Sequence, residues 1–209
     1  MFYTFIRAVV RGLVWLINGN AHYENKKALP KGAYILVGPH RTWFDPIYYA
    51  LAASPRKFSF MAKEELFKNP IIRFILKHSN AFPVNRAHPG PSAIKTPVKT
   101  LKKGELSLIM FPSGTRHSAQ LKGGALVIAK MSGVPLVPTV YQGPLTFKRL
   151  FTRKPVTVRF GQPIYIDRRQ KLDKPAMAAL DDQMQRAFSQ LDQEIDPHFK
   201  YVPNPDNKK

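Results

Sequence analysis

Tyr34-Ile35-Leu36-Val37-Gly38-Pro39-His40-Arg41-Thr42-Trp43-Phe44-Asp45-Pro46 is the stretch whose reading decides the fold. Its four leading apolar residues read as a strand, Gly-Pro interrupts it, and Asp-Pro is a helix entry. A short apolar helix follows from Ile47 to Ala53, ending near Ser54-Pro55. On a continuous helix His40 and Asp45 would lie about 140° apart around the axis, at about 100° per residue, and could not touch. In a loop they can. Asp45 precedes a proline, which pushes it out of helical dihedrals and suits it to the N-cap. An imidazole steadied by a carboxylate is a general-base dyad, with its second ring nitrogen left to take a proton from a hydroxyl. The same residues also fit a capping aspartate beside an ordinary loop histidine, and spacing alone does not choose between these.

Working outward, strand-like and helix-like runs alternate. Lys57 to Ala62 reads as a strand, Pro70 to Lys77 as a helix with Ile71, Ile72, Ile75 and Leu76 on one side, and Asn80-Ala81-Phe82-Pro83-Val84-Asn85-Arg86 as a short strand leaving on an arginine. Ser92 to Lys103 has helix-like spacing broken by Pro97, its lysines forming a solvated face. Glu105 to Phe111 is a buried-type strand that empties into Pro112-Ser113-Gly114-Thr115-Arg116. Gly124 to Met131 is a helix stopped by Ser132-Gly133. Pro135 to Tyr141 and Pro155 to Phe160 read as strands, and Val156, Val158 and Phe160 alternate in the second. Between them Lys148 to Lys154 mixes cations with apolar residues, as either a membrane-surface loop or a basic hairpin would. A final helix, Pro175 to about Ile195, carries Met177, Leu180, Met184, Phe188 and Leu191 at core spacing, and 203–209 is a loose polar tail. The alternation predicts an α/β fold: one domain over 21–202, a sandwich with a central mixed sheet flanked by helices.

Upstream, Met1 to Ile17 is apolar except for Thr4, Arg7 and Arg11, which form one narrow polar stripe on a helix. Sixteen helical residues reach only about 24 Å, short of a bilayer's roughly 30 Å hydrocarbon core, and two arginines near the middle oppose spanning. Residues 1–20 are therefore expected to form an amphipathic membrane-interface helix. Phe2, Phe5 and Trp15 would enter the lipid while Arg7 and Arg11 meet head groups. Packing of this helix on the domain's own core is the alternative. A signal peptide is disfavoured, because the arginines interrupt the apolar region. Across 209 residues the composition is globular, with 44% hydrophobic residues, but 33 Lys+Arg against 13 Asp+Glu give a net charge of +20. That field attracts anionic partners. No cysteine occurs, which removes disulfides and thiolate metal sites.

Chemistry gathers in three loops after strands: His40 with Asp45, then Arg86, then Gly114, Thr115 and Arg116 with Lys122 behind. If these share one sheet edge, a dyad faces a cluster of cations able to hold a phosphate, with glycine admitting backbone N–H groups. The blocks His40-Arg41-Thr42-Trp43-Phe44-Asp45, Asn80 to Arg86, Phe111 to Arg116 and Val134-Pro135-Leu136-Val137-Pro138 resemble, in order, the four motifs of the glycerolipid acyltransferase family. Within it the chain is most similar to the bacterial 1-acylglycerol-3-phosphate acyltransferases. Two departures stand out. Asn80 replaces a usual glycine, a mild change because asparagine tolerates left-handed dihedrals. Ser113 replaces a usual glutamate, so the role of that carboxylate does not carry over.

The resemblance implies acyl transfer from a thioester, acyl-CoA or acyl-acyl carrier protein, to the sn-2 hydroxyl of lysophosphatidic acid. His40 would be the base and Asp45 its orienter, Arg86 would bind the acceptor phosphate, and Val134, Pro135 and Pro138 would lie near the acyl chain. No metal or cofactor is implied. The expected location is the cytoplasmic face of the cell membrane, peripheral or monotopic, on an anionic surface. Glycerol-3-phosphate or another lysolipid is the rival acceptor. A nucleic-acid-binding module would also explain the charge, but no RRM, KH or zinc-finger pattern is present.

Overall fold

The computed structural model of the chain describes residues 2–19, 21–85, 88–114 and 121–201. In chain order its elements are α1 (Phe2–Asn18), β1 (His22–Glu24), β2 (Ile35–Val37), α2 (Asp45–Ala52), β3 (Phe58–Lys63), α3 (Pro70–His78), β4 (Ala81–Val84), α4 (Ser92–Lys102), β5 (Ser107–Met110), α5 (Gly124–Ser132), β6 (Leu136–Gln142), α6 (Phe147–Leu150), β7 (Thr157–Phe160) and α7 (Lys174–Ile195). The seven strands form one sheet in the order β1-β7-β6-β2-β5-β3-β4. From β6 to β4 every pairing is parallel, whereas β7 runs antiparallel to β6 and carries β1 with it. The sheet is mixed, as expected.

Alternation along β2 explains the layers. Leu36 packs into the core beneath α2, while Ile35 and Val37 face the opposite core built with α4, α5 and α7. All three side chains are fully buried, and each contributes about 1.5–3 kcal/mol by leaving water. Opposite faces of one strand thus nucleate both halves of the sandwich. On α7, Met184, Phe188 and Leu191 are buried against the sheet, the core spacing read from sequence.

Several local readings hold for physical reasons. Gly19 at φ +80° and Gly133 at φ +73° end α1 and α5 in the left-handed conformation that terminates helices. Asn80 sits at φ +62°, the left-handed geometry its side chain tolerates. Pro83 lies within β4, at the end of the sheet, where a missing N–H leaves no ladder partner stranded.

Three expectations need correction, and one strand had no counterpart in the sequence reading. α4 is not broken at Pro97 but runs through it, with the proline ring buried. The basic stretch after β6 is neither simple hairpin nor plain loop: α6 forms there, capped by the Thr146 hydroxyl, and Leu150 is buried. β1 was invisible in sequence because three residues, His22-Tyr23-Glu24, are too few for a pattern. Asp45 is the first residue of α2 rather than its N-cap, a position taken by Phe44. The polar tail at 203–209 lies outside the described residues.

Candidate active site

Parallel strands deliver their C-terminal loops to one edge. Val37 of β2 stands beside Met110 of β5 on one side and Pro138 of β6 on the other, so the loop after β2 and the turn after β5 emerge together. β4 pairs in parallel on the same side of the sheet and ends at Val84 on that edge. This is the shared edge on which the reading of three loops depended.

The dyad forms there. His40 Nδ1 is 3.1 Å from Asp45 Oδ2, and Asp45 is fully buried while His40 keeps 13% of its side chain exposed. Three more donors hold the carboxylate. The backbone N–H groups of Arg41 and Thr42 both reach Oδ2 at 2.7 Å, and the Thr42 hydroxyl reaches Oδ1 at 2.6 Å. Asp45 therefore does not cap the helix ahead of it; it closes the loop behind it, folding residues 40–42 back onto the start of α2. With Nδ1–H donated to Asp45, Nε2 carries the free lone pair. Phe111, the first residue after β5, stacks on the imidazole at 4.2 Å between ring centres and 19° between planes. The ring is thus clamped from its edge and its face.

Gly38 makes this approach possible. A Cβ there would lie 2.2 Å from the Thr139 carbonyl oxygen and 2.3 Å from the Tyr49 hydroxyl, so no other residue fits between β2, β6 and α2. Tyr49 donates its hydroxyl to Thr139 O at 2.7 Å. Burial, then the Asp45 charge, pushes the Tyr49 phenol well above its ordinary range, and it remains a donor.

Arg41 points the other way. Its guanidinium donates to Tyr141 O at 2.7 Å and grips both carboxylate oxygens of Asp192 on α7, and Gln142 Nε2 adds a bond to Asp192 at 2.9 Å. The Phe199 and Tyr201 rings flank the guanidinium at 4.9 and 5.6 Å. The dyad's loop is thereby tied to the C-terminal helix.

In the second loop Gly114 adopts φ +69°, and its N–H donates to Phe111 O at 2.8 Å. Lys122 N–H donates to Pro112 O at 2.8 Å, and its Nζ lies 3.7 Å from where a Gly114 Cβ would stand. The ammonium is therefore at the turn, beside the buried Ser113. Arg86, Thr115 and Arg116 lie outside the described residues.

Other expected site residues land elsewhere. Val134 and Pro135 precede β6, at the edge opposite His40: Pro135 O accepts from Ile35 N–H, three residues and about 10 Å of strand before Pro138. Pro138 is nearer the dyad's edge but alternates with Val137 and Tyr141, which places it toward α7, away from the face holding Tyr49 and Phe111. On α1, Phe5 and Trp15 are more than half exposed, while Phe2 packs on Phe74 and His78 of α3. Arg7 and Arg11 donate to Pro55 O, Arg56 O and Leu51 O, and Arg11 stays exposed. Phe111 and Asp192 had no role assigned from sequence. Phe111 was at least inside a recognised block, whereas nothing local distinguishes Asp192 from other helix-surface acids.

Residues 20–142 match the family model described as Acyltransferase. The chain is 48% identical over 208 residues to a 1-acyl-sn-glycerol-3-phosphate acyltransferase of Streptococcus pneumoniae, covering 98% of this chain and 79% of that protein. It is 39% identical over 184 residues to the Bacillus subtilis protein of the same description, covering 86% and 92%. The crystal structure of the 1-acyl-sn-glycerophosphate (LPA) acyltransferase from Thermotoga maritima shares the fold, with a TM-score of 0.71 at 20% identity over 95% of this chain and 81% of that one. A buried carboxylate holding a histidine at the sheet edge, inside a matched segment covering more than half of the sequence, leaves one assignment: the chain belongs to the acyltransferase family.

Proposed function

We propose that this protein transfers a fatty acyl group from a thioester to the sn-2 hydroxyl of 1-acyl-sn-glycerol-3-phosphate, giving phosphatidic acid. The observation that carries the reading is the His40–Asp45 pair, with its free Nε2, beside the Gly114 turn and Lys122. The relatives at 48% and 39% identity bear the name of that activity. His40 Nε2 takes the hydroxyl proton as the oxygen attacks the thioester carbonyl. Asp45 stabilises the imidazolium. The tetrahedral intermediate collapses, the C–S bond breaks, and His40 returns the proton to the departing thiolate. Lys122 and the Gly114 turn supply a positive wall for the acceptor phosphate, joined by Arg86 through its motif and by Arg116 through its place in the sequence after Gly114.

The donor is the thioester of coenzyme A or acyl carrier protein, and a surface of net charge +20 suits the acidic carrier. The enzyme works peripherally on an anionic membrane at the cytoplasmic face. Support comes from α1, whose outward residues Phe5, Val9, Leu13 and Leu16 are all exposed, and from α3, which exposes Ile71, Phe74 and Ile75 beside it. Among the described residues no helix is long and apolar enough to cross a membrane.

The test is an assay with both thioester donors, on anionic vesicles, offering lysophosphatidic acid against glycerol-3-phosphate and other lysolipids. Lysophosphatidic acid should be the preferred acceptor, and His40→Ala should lower turnover by at least about 100-fold in a normally folded protein. A folded His40→Ala variant turning over at the original rate would end the mechanism.

A further inference from the structure

Beneath α1 runs a second basic site that the transfer chemistry does not use. A cleft of about 720 Å3 opens between α1 and the C-terminal end of α2, lined among others by Arg7, Arg11, Gly12, Trp15, Lys26 and Ser54. Its size falls in the range of about 300–1,000 Å3 typical of ligand sites. Asp45 begins α2 and Leu51 is at its other end, so a helix of about 12 Å separates this cleft from the dyad.

Three cations converge on it. Arg7 Nη1 donates to Pro55 O and Arg56 O, Arg11 Nη2 to Leu51 O, and Lys26 Nζ to Ser54 O. These carbonyls are neutral. Capping the α2 C-terminus accounts for the orientation of the side chains. It does not neutralise three full charges, and among the described residues no carboxylate lines the cleft. Arg7 also lies over the Tyr3 ring at 5.7 Å, but none of the three cations pairs with a carboxylate among the described residues. Paired cations elsewhere in the molecule look different: Arg159 has Glu24 and Glu194, and Arg41 has Asp192.

The position of the cleft on α1 identifies its occupant. At about 100° per residue, Arg7, Arg11 and Thr4 form the polar edge of the helix, followed around the cylinder by Ala8, Gly12 and Trp15, then by the exposed apolar residues Phe5, Val9, Leu13 and Leu16. The small residues Ala8 and Gly12 leave the space, and a Cβ at Gly12 would meet nothing within 4 Å. An anion at the arginines therefore has a small-residue slot and an apolar face beside it, with the exposed Trp15 ring at the boundary. That is the order of groups along a phospholipid: phosphate, glycerol, acyl chain.

We propose that this cleft holds the phosphate of an anionic glycerophospholipid of the bilayer, as a docking site separate from that of the acceptor. The inference rests on the membrane-surface reading above. Free phosphate shares the headgroup chemistry, and the test separates the two.

Binding of the full chain is measured on phosphatidylcholine vesicles with and without one-third phosphatidylglycerol, for the parent, Lys26→Gln, Gly12→Leu and the double variant Lys102→Gln/Lys103→Gln. Gly12→Leu fills the slot without touching charge. The parent should prefer anionic vesicles. Lys26→Gln and Gly12→Leu should each cut that preference roughly tenfold, the scale of one charge-assisted hydrogen bond, while the distant lysine pair changes it less than about twofold. Inorganic phosphate should not compete at millimolar concentration. Equal losses for the lysine pair and Lys26→Gln would mean diffuse attraction and overturn the site, as would full preference in Gly12→Leu. Complete competition by inorganic phosphate overturns the lipid assignment. Parent protein binding both vesicles equally sinks this inference alone, whereas binding to neither sinks the membrane reading with it.

Discussion

Truncating Asp192 to alanine tests the tie between the dyad's loop and the C-terminal helix. The carboxylate takes two bonds from the Arg41 guanidinium and one from Gln142 Nε2. Arg41 is only 8% exposed, so its charge cannot return to water unless the loop moves. Removing one partner of a buried ion pair costs about 3–5 kcal/mol, because the other charge is left uncompensated. Arg41 would keep Tyr141 O and its two flanking rings, and the Asp192 side chain is 18% exposed, which favours the lower end, about 3 kcal/mol. At about 2–4 °C per kcal/mol for a chain of this size, thermal unfolding followed by circular dichroism should drop by about 6–12 °C. Turnover should fall too, since the Arg41 N–H that would shift with the loop is one of the donors on Asp45. The pair Arg41→Met with Asp192→Leu separates the effects. With both charges gone, stability should return close to that of the parent. Yet kcat should stay about tenfold low, because the loop has lost its anchor and small displacements of a reacting group are costly. An Asp192→Ala protein melting within about 2 °C of the parent would refute the uncompensated-charge argument. A double variant with parental kcat would refute the positioning role.

Asp45→Asn should fold, because an amide oxygen can still accept from the Arg41 and Thr42 N–H groups while its NH2 faces the rotatable Thr42 hydroxyl; with the negative charge gone, kcat should fall by about 10²–10⁴-fold in a thioester assay. Gly38→Ala drives a methyl against a backbone carbonyl that cannot turn aside, and a urea titration should show a loss of about 1–3 kcal/mol or more. Tyr48 has a buried hydroxyl without a hydrogen-bond partner among the described residues, and burial raises its phenol from 10.0 to about 12. The fold thus favours the neutral phenol, a contribution fully present below about pH 10 and lost as pH rises through about 12. Tyr48→Phe should gain about 1 kcal/mol near neutrality and lose less stability between about pH 10 and 12, both read from denaturant midpoints.

Most of the fold was legible because its signals are local. The apolar run to Val37, the glycine stops at 19 and 133 and the alternation at 156–160 each fix an element within a few residues, and Asn80, where the family usually has glycine, takes the left-handed backbone that asparagine tolerates. The dyad was legible for the same reason: His40 and Asp45 are five residues apart, so one loop brings them together. What stayed hidden depends on register. Phe111 meets His40 only because β5 pairs beside β2, and Asp192 meets Arg41 across 151 positions of sequence, where no periodicity reaches. Register also sets where the apolar block lies. Val134 and Pro135 belong to the same motif as Pro138, but a strand carries its first and last residues toward opposite edges, so the motif spans the sheet rather than clustering at the dyad. The polar stripe of α1 was legible as a stripe, but its backbone partners were not, because they lie 40 to 49 positions away. Arg7 and Arg11 each donate to carbonyls at or just beyond the C-terminal end of α2, which aims them along the cleft beside α1. The outer face of α1 is apolar, and its two arginines line the cleft beside it.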